Sequence, residues 1–559
     1  ADPIAAAIAE LAAAPQRDQL PGVALSSDLF FQITSAEMEF KAGRWQSAYA
    51  TLMRAARQTR DPRIAQRAVE IALAVKQGPE ALTAIRLWRE LAPHSEEATQ
   101  YFLGFMVLGD QMAEAEPVFV ERLKNTPPAG RGIAMLQMQQ FLTRAKDKAA
   151  ALALLERVLA PYAGVQEAHL VLAQGAFAAG DAARAKQEAR RALQIAPDSE
   201  LALLTLAQVT PDASDATKLL TTFLDAHPGA REVRSAYVRM LVEQKRFAPA
   251  REQFRILLKG QPEHLGTLYA LGIVSMQLDD SKAAEGYFKQ FLAVLAAHPD
   301  DERDASKVLM ILSQLAEERG DKAGALQWLD KVDESEPRAY FSARIRRAQL
   351  LAKHGDLDGA RQTLVELKSE DADERGRVAQ ADAQLLRDAG QHPAALAALE
   401  AALKRFPDHT GLLYDFALAA ERAQRFDAME TSLRRVIALE PDNHQAYNAL
   451  GYSLAERNVR LPEAQTLIGQ ALKMAPDDPF IMDSMAWVEF RLGHLEQAEA
   501  MLRRAYALRA DPDIAVHLGE VLWHKGDQAG AQKLWREARA KDPKNDTLKS
   551  TLARLNVRL

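Results

Sequence analysis

Cysteine is absent from all 559 residues. That removes disulfide frameworks, thiol nucleophiles and zinc–thiolate sites together. Aromatic residues are scarce at 6%, so the core must be built from aliphatic side chains and close backbone approaches. The net charge of −6 is small for this length, and no basic stripe with interleaved aromatics occurs, which argues against nucleic acid as a partner. No run approaches the ~20 consecutive apolar residues of a membrane-spanning helix. A Gly-rich phosphate loop, a Gly-x-Ser-x-Gly elbow and a dinucleotide fingerprint are all missing. The 12 histidines are scattered, none in a His-Glu-x-x-His spacing, so neither a metal nor a cofactor is expected. His444, His494 and His524 fall near helix ends, where a solvated or capping role suits them. The chain reads as a non-enzyme.

What the chain does contain is a period. Small residues return about every 34 positions, from Ala48, Ala81, Ala115 and Ala149 to Ala464, Ala498 and Ala531. Steps lie between 31 and 36 residues, apart from one of 41 between Ala284 and Ala325. A proline commonly follows by twelve residues, as at Pro93, Pro197, Pro228, Pro262, Pro407, Pro476 and Pro543. A second small residue precedes by twelve, as at Ala36, Ala173, Gly272, Ala383, Ala417, Ala486 and Gly519. Such self-similarity marks a repeat architecture in which each unit buries its apolar face against its neighbours.

Residues 166–199 show the unit. Two apolar runs at helical spacing, Leu170 to Ala178 and Ala182 to Ile195, are broken at Gly180-Asp181 and stopped by Pro197. Ala173 and Ala185 mark the close approach of two antiparallel helices. Here the chain resembles the tetratricopeptide repeat family, whose unit is a 34-residue helix hairpin. The resemblance implies an all-α, right-handed superhelical solenoid of about fifteen hairpins that binds proteins. It covers residues 28–541, leaving 1–27 as an N-terminal segment and 542–559 as a C-terminal capping helix starting near Asn545. The third and fourth hairpins carry irregular turns, and Thr210-Pro211 cuts short the first helix of the sixth. About seven extra residues lengthen the helices around His298 to Arg303.

Residues 1–27 differ in kind. Ile4, Ile8 and Leu11 share one face of a short helix-prone run ended by Pro15 and Leu20-Pro21-Gly22. The segment is read as a cap folded on the first hairpin, as a handle inserted into a partner, or as a frayed end. Ala-Asp-Pro at the start reads as a mature or trimmed terminus, with room for a targeting segment or a lipid anchor upstream.

In the implied fold the first helix of each hairpin lines the groove. Aligning hairpins twelve to fourteen on Ala417, Gly451 and Ala486 superposes Tyr414, Asn448 and Asp483 three residues earlier. Tyr452 and Trp487 follow the small residue directly, and Glu456 and Arg491 lie four residues further on. Aromatics, an amide and both signs of charge suit an extended peptide, with Asn448, Asp483 and Arg491 contributing little to packing. The competing reading places Tyr452 and Trp487 in the core between hairpins.

The runs NALGYSLAERNVRLPEAQTLIGQALKMAPDDPF, HLGEVLWHKGDQAGAQKLWREARAKDP and LFFQITSAEMEFKAGRWQSAYATLMRAARQTRDP also resemble a proteobacterial group of long tetratricopeptide proteins. That resemblance implies a lipoprotein on the periplasmic side of the outer membrane. Such adaptors bring substrates such as peptidoglycan cross-link hydrolases to a carboxy-terminal processing serine protease. The alternatives are a structural assembly factor of an envelope secretion or polysaccharide-export complex, and a cytosolic peptide-capturing regulator. Truncation at Val23 is expected to leave the melting temperature unchanged while abolishing association with one protein partner. Unchanged association in the truncated protein would reduce the segment to a cap or tail.

Overall fold

Thirty-one α-helices and no strand occur among the described residues, 18–559, of the computed structural model. The helix-prone run carrying Ile4, Ile8 and Leu11 lies outside them. The helices pair as fifteen hairpins, from Ser27–Lys41 with Trp45–Thr59 to Pro512–His524 with Gln528–Lys541, followed by the single helix Asp546–Leu555. Asn545 caps that last helix by accepting from the Leu548 amide at 2.7 Å.

The turn inside a hairpin is written in two residues. Gly180 and Gly526 adopt φ of +84° and +91°, a left-handed conformation that costs glycine little. The next residue, Asp181 or Asp527, then caps the second helix by accepting from an amide three residues on, at 2.9 Å. Hairpins without the glycine keep the geometry: Lys76, Asp110, Lys245 and Gln424 take φ of 53–59° at the same place. The turn of the third hairpin, irregular in sequence, therefore has ordinary geometry at Asp110.

The periodic small residues sit where the paired helices touch. Ala48, Ala185, Ala325 and Ala531 are all fully buried. A Cβ on Gly451 would lie 2.5 Å from Ile468 Cγ1 and 3.1 Å from the Ala464 carbonyl, and one on Gly519 would collide with the Trp535 indole.

Contacts gather the described residues into two compact units, divided between Ala284 and Glu285. In the first, one apolar cluster runs from Ala36 to Val171, followed by smaller ones around Ala185, Leu206 and Phe223. The first helix of the sixth hairpin is short, Glu200–Gln208. In the second, clusters centred on Leu309, Leu412, Leu454 and Val516 follow one another. The division falls within Ser281–Ala297, which has 17 residues against the 14 of second helices such as Ala182–Ile195. The extra residues expected there thus lengthen one helix by three and otherwise form the irregular stretch 298–305.

Gly519→Ala is expected to destabilise the protein by about 1–3 kcal/mol, because the Trp535 ring has to move. Gly104→Ala, with nothing within 4 Å of the added Cβ, is expected to stabilise it by about 0.5–1 kcal/mol. Denaturant midpoints of the two variants check this pair.

Candidate functional site

Within the second unit, the first helices of hairpins twelve to fifteen are Thr410–Arg422, His444–Glu456, Pro479–Arg491 and Pro512–His524. Five of the seven aligned residues, on the second and third of these helices, form one cluster with His517 of the fourth. Its centre is Trp487, 2% exposed, stacked on Phe490 at 4.9 Å and on His517 at 4.2 Å between ring centroids. The indole N–H donates to Glu456 Oε2 at 2.6 Å. Arg491 lies over the indole at 5.1 Å and donates to the Glu456 backbone carbonyl at 3.1 Å. Asp483 pairs with His517 Nδ1 at 2.8 Å, both buried. The Tyr452 hydroxyl lies 3.5 Å from His517 Nε2.

Asp483 therefore does not project freely as the alignment led one to expect. His517 of the next hairpin supplies the opposite charge and takes it into the interface between hairpins. Trp487 follows the competing reading and is core. Glu456 remains exposed, and Tyr452, Arg491 and Asn448 are half-buried. Asn448, one turn before Tyr452, has its Oδ1 enclosed with no hydrogen-bond partner, and so has Arg491 Nε. Tyr414 stands apart, packed against the cluster of Leu412 and Phe416; burial raises its phenol pKa, with Asp415 and Glu421 adding.

Electrostatics follow from the packing. Burial disfavours a charged His517, but the Asp483 carboxylate outweighs it, with Glu456 and Asp513 adding, so its pKa lies above the ordinary histidine value. Burial, reinforced by Glu456 and Asp483, holds the Tyr452 phenol protonated far above its usual range. Both His517 nitrogens are engaged and its ring is covered by Trp487, so the pair holds the indole in place. Among the described residues no group of three or more His, Asp or Glu side chains could hold a metal ion, and no helix is long and apolar enough to cross a membrane.

His517 escaped the sequence alignment because it lies two residues before Gly519 and not three. The Glu520–Arg554 pair escaped too: Arg554, on the closing helix, donates twice, at 2.6 and 2.8 Å, to a Glu520 that is only 1% exposed. His524, expected to be a solvated or capping residue, is indeed exposed at the end of its helix, with its ring edge-on to Phe490 at 5.1 Å. One relation recurs in these contacts, since each joins the first helix of one hairpin to the next helix on the same side. Glu37–Arg67 at 2.7 Å and Glu317 with Arg346 and Lys353, both at 2.6 Å, repeat it. So does Gln380–Asp415 at 2.9 Å.

The tetratricopeptide repeat family model matches residues 269–340, 381–428, 414–479 and 484–546. The chain is 32% identical over 513 residues to the TPR repeat-containing protein PA4667 of Pseudomonas aeruginosa, spanning 89% of this chain and 82% of that one. It is 25% identical over 354 residues to cellulose synthase operon protein C of Pseudomonas fluorescens, spanning 54% of this chain and 27% of the other. Among solved structures it is similar to yeast Tom70, with 14% identity, a TM-score of 0.34, and coverage of 77% of this chain and 98% of that one.

Asp483→Ala strands His517 and is expected to cost about 3–5 kcal/mol, the range for breaking a buried pair. The pair's contribution is full below about pH 6.5, the unfolded histidine value, and is lost as pH rises through the higher folded value. The stability gap between wild type and His517→Gln, measured by thermal melting, should therefore narrow from pH 6 to pH 9. A gap that widens with pH would contradict this assignment.

Proposed function

Because this chain belongs to the tetratricopeptide repeat family, we propose that it is a non-enzymatic scaffold that holds proteins. Its role would be to deliver client proteins, cell-wall hydrolases among them, to a carboxy-terminal processing serine protease on the periplasmic side of a bacterial outer membrane. The observation that carries the protein-holding part is the run of fifteen helix hairpins of this repeat family, whose first helices carry Asn448, Glu456 and Arg491. Two turns beyond Asn448, exposed Glu456 and the Arg491 guanidinium that donates to its carbonyl supply both signs of charge. The resemblance of the two ends of the sequence to protease adaptors supports the choice of partner.

The mechanism is proximity. Fifteen hairpins offer more than one surface, so protease and client held on one chain meet at an effective concentration set by their spacing and not by bulk solution. No bond is made or broken by the scaffold.

A second reading, an assembly factor of an envelope secretion or polysaccharide-export complex, is favoured by the similarity to cellulose synthase operon protein C over 54% of the chain. Co-elution of the purified chain with a carboxy-terminal processing protease separates the two readings, and a complex is expected on the first. Asn448→Ala with Arg491→Ala is expected to weaken client binding by about 2 kcal/mol or more if these are central contacts, with stability lowered by about 1–2 kcal/mol through loss of the Arg491 contacts with Trp487 and the Glu456 carbonyl. Titration and melting of the same double variant check it. Unaltered client affinity would place the client elsewhere.

A further inference from the structure

A recess opens between hairpin eleven, Ala372–Asp388 with His392–Arg405, and the first helix of hairpin twelve, Thr410–Arg422. It has a volume of about 520 Å³, within the range of roughly 300–1,000 Å³ typical of ligand clefts. Its origin can be read from the repeat. Counting two and six residues past the small position gives Val488 and Leu492 in hairpin fourteen, which share a cluster with Leu461 at the start of the preceding second helix. The six-residue offset gives Arg457 in hairpin thirteen, whose guanidinium lies 4.3 Å over Phe426 at the equivalent start. In hairpin fifteen it gives Lys525, paired at 2.8 Å with Glu496 near the start of the second helix before it. In hairpin twelve both positions are alanine, Ala419 and Ala423, and both line the recess beside His392, Pro393 and Leu396. What fills this place in the three following hairpins is missing here.

The floor of the recess is apolar and includes buried Ala383, Ala395 and Leu399. Its polar lining is unequal in charge. Among the described residues the Arg422 side chain has no hydrogen-bond or ion-pair partner, and the Arg387 side chain has only a 3.5 Å contact with its neighbour Asp388. Asp415 also lines the recess, but its carboxylate already accepts from Gln380 at 2.9 Å. Two guanidiniums with little else to bind thus stand over an apolar hole.

We infer that this recess is a docking pocket for a partner protein that presents a bulky apolar side chain next to a carboxylate. The apolar group replaces the side chains that Ala419 and Ala423 lack, and the carboxylate meets Arg387 and Arg422 with charge-assisted hydrogen bonds. The inference rests on the protein-holding reading above and adds the chemistry of what is held.

The test fills the hole from within. Ala419→Val with Ala423→Leu installs the pair found in hairpin fourteen and is expected to fold with a melting temperature equal to or above that of wild type. The probe is N-acetyl-4-trifluoromethylphenylalanyl-glutamate amide, followed by fluorine NMR with the full chain. Saturable broadening with wild type is expected, with loss in the filled variant. At least fivefold weakening is expected in Arg387→Gln with Arg422→Gln, and when the probe's glutamate is replaced by lysine. Equal binding to wild type and filled variant, or none to wild type, overturns the assignment. Equal binding of dodecanoate would make the recess an acyl site and overturn it too, as would a change of oligomeric state in the filled variant, which would mean a second copy is the occupant. A protease or client that co-elutes with both proteins while the probe binds neither removes the pocket and leaves the scaffold reading standing. Saturable probe binding without any protein complex tells against the scaffold reading alone.

Discussion

Most hairpins depend on two helices approaching closely at an alanine, glycine or serine, with Met429 taking that place in hairpin twelve. At Gly451 and Gly519 even a methyl group has no room, since Ile468 and Trp535 already occupy the space. This contact sets the angle and separation of the pair, and those in turn fix where the next hairpin can pack. A single hairpin cannot cover its own apolar faces. The same approach, repeated along the chain, therefore determines both the helix pairs and the clusters between them.

The close approach also decides where polar groups end up. First helices are brought side by side, so residues about 30 to 36 positions apart in sequence become partners, as in Glu37–Arg67, Asp483–His517 and Glu520–Arg554. Where the partners are exposed, such a pair contributes little. Where they are enclosed, as at Asp483 and His517, removing one member leaves an uncompensated charge and costs much more. Trp487 draws the two situations together, with one face on a buried histidine and its N–H on exposed Glu456. Second helices carry a similar network: Arg460 and Arg434 donate to Glu430 at 2.5 and 2.8 Å and hold its carboxyl down to about 2.

Against this regular background the informative places are those where the repeat is not completed. Asn448 has an enclosed acceptor without a donor, and the space facing Ala419 and Ala423 has no side chain. The space beside Ala419 and Ala423 asks for something a protein segment can supply, an apolar group beside a carboxylate. A scaffold that works by proximity needs surfaces of this kind, with incomplete packing that a partner completes.

The period of small residues and the Gly-Asp breaks were enough to predict fifteen hairpins and a last helix near Asn545, because steric exclusion and capping act locally and leave fixed spacings. They also located the short first helix of the sixth hairpin, at Thr210-Pro211. They did not say which polar residues stay in solvent. Asp483 has the sequence signature of an exposed residue, and only the arrival of His517 from the next hairpin buries it; Glu520 is buried by Arg554 in the same way. Nor did they show the recess beside Ala419, since an alanine in a chain rich in alanine signals nothing until the residues across from it are known. The sequence by itself determined the elements and their order, through interactions within one hairpin. Burial, charge pairing and the unfilled space were decided by contacts between hairpins, which the tertiary structure alone brings together.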